Sequence, residues 1–556
     1  MSGFYRVWAR LSDIAAQSAS LAAAAGSTLI GFMQAGVGAI QRTVQAKLRD
    51  TVSPMDFGGV GDGVADDTAA WAAALLAGLH IKASNKSWKI TSTLTLRAGQ
   101  SIDIRGASIV VACGATPVFQ FLNGNAGLYI QHAGGTVTGT ASCFLLAQGT
   151  TNQPTAQGMY ASQIHIEGLW VSSATITTAL VFDKAVKSVY LPGVNFFTPN
   201  GISASGKCVE VMISDSILFS ATGAAGTFGI KLRSTGLTTY FNEGWSIVNS
   251  TVDNFEITHD ITDVFVYQVL GGYHGCNAAL SSTTGYGFQF QAPSTNLCEE
   301  ISIGAGIVIG GRIRFVASAG GQAYNAKVSG FTANGVPGTA IAIENNASAI
   351  TVSEGKFKGA SGAAVGVVGS NNNAGIVCTG LDFDGTYTNG VVLNGAAGAG
   401  CAIGPLTGPT AGDIFGVGRV MILRGVPVNS AALAALKQTL NPADLAATYA
   451  VGIAIATQAI SFAKGERGWI IFSLPASGMT AATQRLDLAI PVGMVIPSGT
   501  GWASNYIYPS ATGALVVGRV PYYCTADGAG NLSITNAVGS AVTLNSHGYF
   551  GLERAL

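Results

Sequence analysis

Carboxylates are scarce in this chain, and those that gather near its middle have the chemistry of an acid–base site. Asp and Glu together number 28 in 556 residues. Cleavage of a glycosidic bond needs two carboxyl groups, one held protonated as the acid and the other ionised. We select Glu243, Asp260 and Asp263 as candidates for the acid and the base or nucleophile. The central group as a whole consists of Glu243, Asp253, Glu256, Asp260, Asp263, Glu299 and Glu300.

Aromatic residues accompany these acids. Trp245, Tyr273 and Tyr286 are candidate platforms for a sugar, because a ring face stacks on apolar C–H groups while carboxylates bind hydroxyls. His259 and His274 lie in the same stretch and could also face a ligand.

A lyase would need different groups: a base, and a cation that neutralises a uronate carboxylate. Four cations of the central region could serve as that cation, although no motif selects them. They are Lys231, Arg233, Arg312 and Arg314.

Other chemistries lack their motifs. The sequence contains no nucleophile elbow, P-loop or zinc-binding spacing, and its eight cysteines are scattered without a C-x-x-C pair. Asp382-Phe383-Asp384 lacks the further ligands of a calcium loop. We therefore expect no cofactor and no metal.

Composition restricts the partners. The formal net charge is +0, so nothing in the charge pattern indicates nucleic-acid binding. Charged residues make up 10% of the chain, against about 25% in ordinary soluble proteins. Mean hydropathy is +0.40, yet the most apolar stretch, residues 11–40, is interrupted by Asp13 and Gln17. We expect no membrane insertion, and we expect several chains to associate and cover uncharged surface.

The stretch Asp56–Thr68 combines glycines with four aspartates and precedes an apolar helix, Thr68–Gly78. Glycines allow the tight turns, and Asp66 or Asp67 is placed to cap the helix. Turn and cap roles explain these aspartates better than catalysis does.

The middle of the chain is a repeat of short strands. The predicted strand starts share an apolar residue followed by a turn-like triplet, and they are Ile104, Ile130, Ile166, Leu191, Ile213, Val248, Val269, Ile303, Val328, Val352, Cys378 and Ile403. Most intervals are 21–26 residues, which is typical of a solenoid. Three longer intervals predict loops near 137–163, 220–246 and 273–300. The same register places Lys356 and Lys358 over Asp382 and Asp384, as surface ion pairs.

The two ends of the chain differ from the repeat. In residues 1–55, the apolar stripe Val44, Leu48 and Val52 predicts a helix that ends before Pro54 and packs on symmetry mates or a docking partner. Residues 411–448 form a predicted linker with a short helix at Leu433, Leu436 and Leu440. Alternating segments in 449–556 predict a β-sandwich-like domain for trimerisation or glycan binding.

The motif D-F-G-x-x-G-D-G-x-x-D-D-T at residues 56–68 resembles the opening of pectate-lyase-like right-handed β-helices, above all those of bacteriophage tailspikes. Residues 26–32 and 44–53 resemble the neck of such proteins. The resemblance implies a homotrimeric component of the phage tail, made in the host bacterial cytoplasm. It also implies binding, and often cleavage, of a bacterial surface polysaccharide.

The expected fold class is therefore all-β: a right-handed parallel β-helix over 56–410, a short helical neck in 1–55 and the terminal β-rich domain, in a homotrimer. The expected function is that of a tailspike that binds lipopolysaccharide O-antigen or capsule and hydrolyses it. The N-terminal segment would attach it to the phage tail or to another tail protein. A non-catalytic receptor-binding fibre, a polysaccharide lyase and a purely structural tail component remain open alternatives.

Overall fold

A computed structural model of the chain describes residues 12–20, 28, 30–152, 154–233, 242–281, 283–292, 298–317, 322–336, 338–345 and 347–358. Beyond residue 358 it describes 363–368, 375–384, 389–393 and the shorter strands given below. The chain divides into two compact units, Met1–Thr222 and Gly223–Leu556, which we describe in turn.

The first unit contains two α-helices with defined bounds, α1 (Val44–Leu48) and α2 (Thr68–Ala77), and the 3-10 turns Pro54–Phe57 and Gln157–Met159. Residues 12–20 are also helical. Its strands are β1 Gly31–Phe32, β2 Arg42–Thr43, β3 Asp62–Asp66, β4 His80–Lys82, β5 Ser87–Ile90, β6 Leu94–Leu96, β7 Gln100–Asp103, β8 Ser108–Ala112, β9 Phe119–Phe121, β10 Ala126–Gln131, β11 Val137–Gln148, β12 Ala161–Glu167, β13 Trp170–Ser172, β14 Ile176–Asp183, β15 Val186–Pro192, β16 Asn195–Thr198, β17 Asn200–Ala204, β18 Cys208–Ser214 and β19 Ile217–Ser220.

The second unit continues the same pattern. Its solenoid strands are β20 Phe228–Leu232, β21 Asn242–Phe255, β22 Ile257–Ile261, β23 Val264–Cys276, β24 Tyr286–Ala292, β25 Cys298–Ile309, β26 Ile313–Ala317, β27 Gln322–Asn334, β28 Ile341–Glu344, β29 Ala347–Ser353, β30 Lys356–Lys358, β31 Ala363–Val368, β32 Ile376–Thr379, β33 Leu381–Asp384, β34 Asn389–Leu393, β35 Cys401–Ile403, β36 Leu406–Thr407, β37 Ile414–Phe415 and β38 Val420–Ile422. Parallel pairing thus runs to Ile422, past the predicted boundary at residue 410.

Both units contain a parallel β-solenoid, which confirms the predicted all-β solenoid fold. Each strand pairs in parallel with the equivalent strand of the next coil, as β12 pairs with β15 and β23 with β25. Alternate side chains point inward, where apolar rows fill the core without intervening helices.

The aspartates of the opening motif serve turns and caps, as predicted. Asp66 accepts a hydrogen bond from the Thr68 backbone N–H at 3.0 Å at the start of α2. The Asp67 carboxylate binds the Val60 N–H at 2.7 Å instead, and it also accepts from Gly61, so it closes the glycine loop. Helix α2 then packs Trp71 edge-on against Trp88 and Phe119 in the core.

The predicted register is confirmed over most of the repeat. Backbone pairing joins Ile130 to Ile166 and Val269 to Ile303, and the predicted starts from Ile303 to Ile403 pair in sequence as expected. Two of the predicted strand starts, Ile104 and Val248, were wrong. Ile130 pairs with Ile102 rather than Ile104, and Val269 pairs with Ile247 rather than Val248.

The register of the predicted ion ladder is also confirmed, and the Lys356 ammonium contacts both carboxylates, with that of Asp384 at 3.6 Å. Lys356 pairs with Asp382 and Lys358 with Asp384 in register, and the Lys356 ammonium lies 3.5 Å from the Asp382 carboxylate. Between them, Phe357 stacks on Phe383 in the core at 5.3 Å.

Two of the predicted loops are shorter than expected. Most of the first is the long strand β11, which leaves the turn at 149–160. The third contains β24, which leaves a turn at 277–285 and the residues 293–297, outside the described part. The second contains β20 and the start of β21, and its residues 234–241 lie outside the described part.

The N-terminal helix prediction was partly wrong. Helix α1 covers only Val44–Leu48, capped by the Thr43 side chain. Val52 lies beyond it and bridges to Ile81 of the solenoid, where it is buried. Pro54 begins the 3-10 turn that follows, because Ser53 and Asp56 form a capping box around it.

The C-terminal residues contain an antiparallel sheet of eight strands. Its strands are β39 Ala456–Thr457, β40 Arg467–Ser473, β41 Arg485–Ala489, β42 Met494–Val495, β43 Tyr506–Pro509, β44 Val520–Ala526, β45 Asn531–Asn536 and β46 Ser546–Arg554. The second packed layer of a sandwich remains a prediction. The predicted linker helix at Leu433, Leu436 and Leu440 lies outside the described residues.

Left-handed backbone conformations recur at one place in successive coils of the second unit. Each such residue directly precedes an inward residue of the long strands, and the column consists of Gly244, Val266, Glu300, Asn325, Ala349 and Gly375. Val266 has φ +63°, which is strained for a β-branched residue. The column marks the bend that turns each long strand around the solenoid.

Replacing Val266 by asparagine tests that strain. Asparagine tolerates positive φ and already occupies this column at Asn325. We expect Val266→Asn to raise the free energy of unfolding by about 1 kcal/mol in chemical denaturation. Val248→Asn is the matched control, because Val248 is also half-buried but has no positive φ. It should lower stability, and a loss of equal size in both variants would contradict the account.

Candidate functional site

The candidate site lies on the outer surface of the second unit, at the start of the long strands. Asn242, Val264 and Cys298 form an inward row there and are completely buried. The next residues, Glu243, Phe265 and Glu299, pair in register on β21, β23 and β25 and are half-buried. Because side chains alternate along a strand, these three point outward as one row, which we call the acidic row.

The acidic row places an aromatic ring between two carboxylates. Neighbouring strands are about 4.8 Å apart, so the backbones at Glu243 and Glu299 are about 9.5 Å apart. Two carboxyl groups of an inverting glycosidase are separated by roughly 6.5–9.5 Å, which leaves room for a water molecule. Gln268 is exposed and lies three residues beyond Phe265, past the bend at Val266.

Trp245 is not a sugar platform, contrary to the prediction. Its ring is completely buried in the core, in the inward row that it shares with Tyr267. His259 and His274 are also completely buried, so neither faces a ligand.

These buried polar groups form a chain inside the solenoid. The His259 Nδ1 atom lies 2.7 Å from the Tyr267 hydroxyl, and its Nε2 atom lies 2.8 Å from Nδ1 of His274. Burial lowers the pKa of His274 to about 4 and lowers that of His259 well below its ordinary value, with the nearby His274 adding to the effect. Both imidazoles are therefore neutral near pH 7 and serve the core.

Asp263 is placed close to Glu243 but inside the molecule. Its backbone oxygen accepts a hydrogen bond from the Asn242 amide at 3.3 Å, and its side chain is completely buried. A bound sugar cannot reach it, so the structure removes Asp263 from the group that touches substrate. Its charge contributes to raising the pKa of Cys298, although burial is the larger cause.

Asp260 lies on the other face, on β22, and is 4% exposed. The Arg233 guanidinium donates to its carboxylate at 2.7 Å, and the Lys231 ammonium lies 4.0 Å away. Asp260 therefore lies in an ion-pair network, and its part as an acid, base or nucleophile stays a prediction.

That network crosses the strands of the face. Lys231, Asp260, Gln289 and Arg314 pair in register, and the Gln289 amide donates to Asp260 at 3.4 Å. Arg314 binds Glu344 through two parallel hydrogen bonds of 2.9 and 2.6 Å. We call these four residues, together with their ion-pair partners Arg233 and Glu344, the charged row.

Tyr286 begins the same face and is half-buried beneath two guanidinium groups. Arg312 lies 4.3 Å and Arg314 5.5 Å from the ring centroid. Arg312 also donates to the carbonyls of Thr283 and Gly285, so it holds the turn before β24 against the ring. The Tyr286 ring therefore holds the guanidinium groups of Arg312 and Arg314 in place.

Tyr273 lies at the other end of β23, beside Asp253. Burial raises the pKa of Asp253, and burial together with the charge of Asp253 raises the pKa of Tyr273. The phenol crosses the backbone of Gly310, where any side chain would collide with its hydroxyl. Asp253, which belonged to the central acidic group but was not selected, is thus a second position where a proton could be held.

The sequence analysis missed Phe265, and it placed Glu299 in the central acidic group without selecting it. The predicted pairing of Val269 with Ile303 already places Phe265 beside Glu299, because both lie four residues earlier. The predicted strand start at Val248 was one residue too late, so it aligned Glu243 with the inward Val264 instead of Phe265. The acidic row could therefore not be predicted.

The described residues contain neither a cluster of metal ligands nor a helix that could span a membrane. No three His, Cys, Asp or Glu side chains in this part of the chain are grouped to hold a metal ion. Within the same residues, no helix is both long and apolar enough to cross a membrane.

No protein-family model and no curated protein matches this chain. Solved structures that match include phage tailspikes. A mutant tailspike protein of E. coli bacteriophage HK620, in complex with a pentasaccharide, is 12% identical, with a TM-score of 0.45, over 97% of this chain and 100% of that chain.

Two further structures are similar over less of the chain. Tailspike protein 3 of bacteriophage CBA120 is 13% identical, with a TM-score of 0.36, over 75% of this chain and 69% of that chain. The A-module of an Azotobacter vinelandii mannuronan C-5 epimerase is 14% identical, with a TM-score of 0.40, over 68% and 99%. The similarity is distant, and we transfer no residue role from these proteins.

Proposed function

We propose that this chain is a phage tail protein that binds a bacterial surface polysaccharide, lipopolysaccharide O-antigen or capsule, and hydrolyses it. The observation that carries the proposal is the acidic row Glu243–Phe265–Glu299. The resemblance of residues 56–68 to the opening of tailspike β-helices supports the phage context.

A solenoid suits an extended polymer, because each coil repeats the same outward positions at about 4.8 Å. A sugar ring packs on the exposed part of Phe265, and its hydroxyls bond to the flanking carboxylates. Glu243 and Glu299 then lie on the two sides of the bound ring.

The two acids divide the reaction between them. One carboxyl group protonates the oxygen of the leaving sugar, while the other carboxylate accepts a proton from the attacking water on the opposite side. The separation of two rungs favours a single displacement by water over a covalent intermediate, which needs about 5–5.5 Å. The product should therefore have the inverted anomeric configuration.

A non-catalytic receptor-binding fibre is the second candidate. One observation favours it: the two carboxylates of the charged row, Asp260 and Glu344, are neutralised by Arg233 and Arg314. That face can bind a glycan but has no free acid for turnover. The lyase and structural alternatives have no comparable observation in their favour.

Amide substitution in the acidic row separates hydrolase from binder. With purified host polysaccharide as substrate, Glu243→Gln and Glu299→Gln should each lower the rate of new reducing ends by about 10²–10⁴, because each removes a proton-transfer group. Binding of the polysaccharide should stay near that of the unchanged protein.

Glu300→Gln is the matched control. Glu300 is adjacent to Glu299, is exposed and accepts a hydrogen bond from Asn325 at 3.3 Å. The Glu300→Gln variant should form new reducing ends at the rate of the unchanged protein. Full activity in both row variants, with loss of activity in Asp253→Asn, would place the chemistry at the Asp253–Tyr273 corner instead. No new reducing ends from the unchanged protein, with binding intact, would establish the receptor-binding fibre.

We further propose a homotrimer attached to the phage tail, or to another tail protein, through residues 1–55. In that segment Val37 and Ile40 are strongly exposed, and Met33 and Leu48 are also open to solvent. Apolar side chains of this size favour contact with another chain.

Deletion of residues 1–40 tests this attachment. Light scattering should give a trimer for both the full chain and the truncated chain, since the solenoid and the terminal sheet remain. The truncated protein should bind polysaccharide but no longer enter phage particles. A monomer, or normal incorporation of the truncated chain, would refute the corresponding part of the proposal.

A further inference from the structure

Two cations on the second unit are held over aromatic rings. The Lys231 ammonium lies 4.9 Å from the centroid of Phe228, and the Arg312 guanidinium lies 4.3 Å from that of Tyr286. Phe228 and Tyr286 belong to one register row, with Ile257 between them. The two cation–ring pairs are therefore two rungs, or about 9.5 Å, apart.

These two cations differ from their neighbours in what balances their charge. Arg233 and Arg314 each bind a carboxylate at 2.7 Å or less. Among the described residues, Lys231 has its closest carboxylate at 4.0 Å, on Asp260, which Arg233 already neutralises. Arg312 donates to neutral backbone carbonyls of Thr283 and Gly285 and has no ion pair within the described ranges.

The face as a whole carries an excess of positive charge in a chain whose net charge is zero. Its cations are Lys231, Arg233, Arg312 and Arg314, and its carboxylates are Asp260 and Glu344. Glu256 lies at the edge, where it accepts the Gly226 backbone N–H. Lys231 keeps 34% of its side-chain surface exposed and Arg312 is half-buried, so both can be reached from solvent.

We infer that this face binds the anionic groups of an acidic polysaccharide, with Lys231 and Arg312 each contacting a carboxylate or phosphate of the polymer. The inference rests on the proposed function and specifies its ligand. The rings fix the cations in place, so little side-chain entropy remains to be lost on binding. A charge-assisted hydrogen bond to the ligand then supplies both affinity and selection against neutral polymers.

The same coils carry both proposed surfaces. Asp260 of the charged row lies five residues before Phe265 of the acidic row, on either side of one bend of the coil. One polymer that passes around this bend would meet the cations on one face and the acids on the next.

The test uses surface polysaccharide purified from a strain to which the protein binds, in three forms: native, carboxyl-reduced and dephosphorylated with hydrofluoric acid. The native form should bind, and removal of its anionic groups should weaken binding at least tenfold. Weaker binding of the carboxyl-reduced form identifies a carboxylate as the bound group, and weaker binding of the dephosphorylated form identifies a phosphate. Equal binding of all three forms overturns this inference and leaves the proposed function standing.

Variants assign the effect to the named cations. Lys231→Gln and Arg312→Gln should each weaken binding of the native form at least tenfold, and binding should become less sensitive to salt. Arg312→Lys keeps the charge and should recover most of the affinity, which a merely structural role in the turn would not predict. Lys358→Gln is the control, because Lys358 is exposed on a different surface, and it should bind normally. Failure of any host polysaccharide to bind the unchanged protein would overturn both proposals.

Discussion

Parallel backbone pairing between successive coils is the constraint on which the rest of the structure depends. Each coil adds one residue to every row at about 4.8 Å, so the register alone decides which side chains meet on the surface. The acidic row exists because Glu243, Phe265 and Glu299 are separated by the lengths of their own coils. The left-handed residues one position later, such as Val266, turn each strand at the same place and keep that register from coil to coil.

Much of this register could be predicted from the sequence. A solenoid coil carries an inward apolar residue near a turn signal, and Val328-Ser-Gly and Cys378-Thr-Gly show both features. The pairing of Val328 with Val352 and of Val352 with Cys378 followed from that pattern alone. The error at Val248 has a physical cause: Ile247 and Val248 are both β-branched and apolar, and only burial separates them, at 0% exposure for Ile247.

The candidate site was harder to predict, because residue type does not give side-chain direction. Trp245 has the character of a sugar platform, but it lies two residues from Ile247 and so shares its inward direction. Asp260 has the character of an acid, but Arg233, distant in sequence, meets it only after the coil has closed. Glu243 was selected for its place in an acidic group, and the structure gives it an outward position beside Phe265.

The central claim is that Glu243 and Glu299 act from two sides of one sugar held on Phe265. Proton NMR of freshly cleaved polysaccharide tests it most directly, because the anomeric configuration of the new reducing end is visible before mutarotation. The two-rung separation predicts inversion relative to the bond that was cut. Retention of configuration would indicate two carboxyl groups about 5–5.5 Å apart, closer than the two-rung separation of the Glu243 and Glu299 backbones. An unsaturated sugar at the new end would show a lyase. Either result would contradict the account.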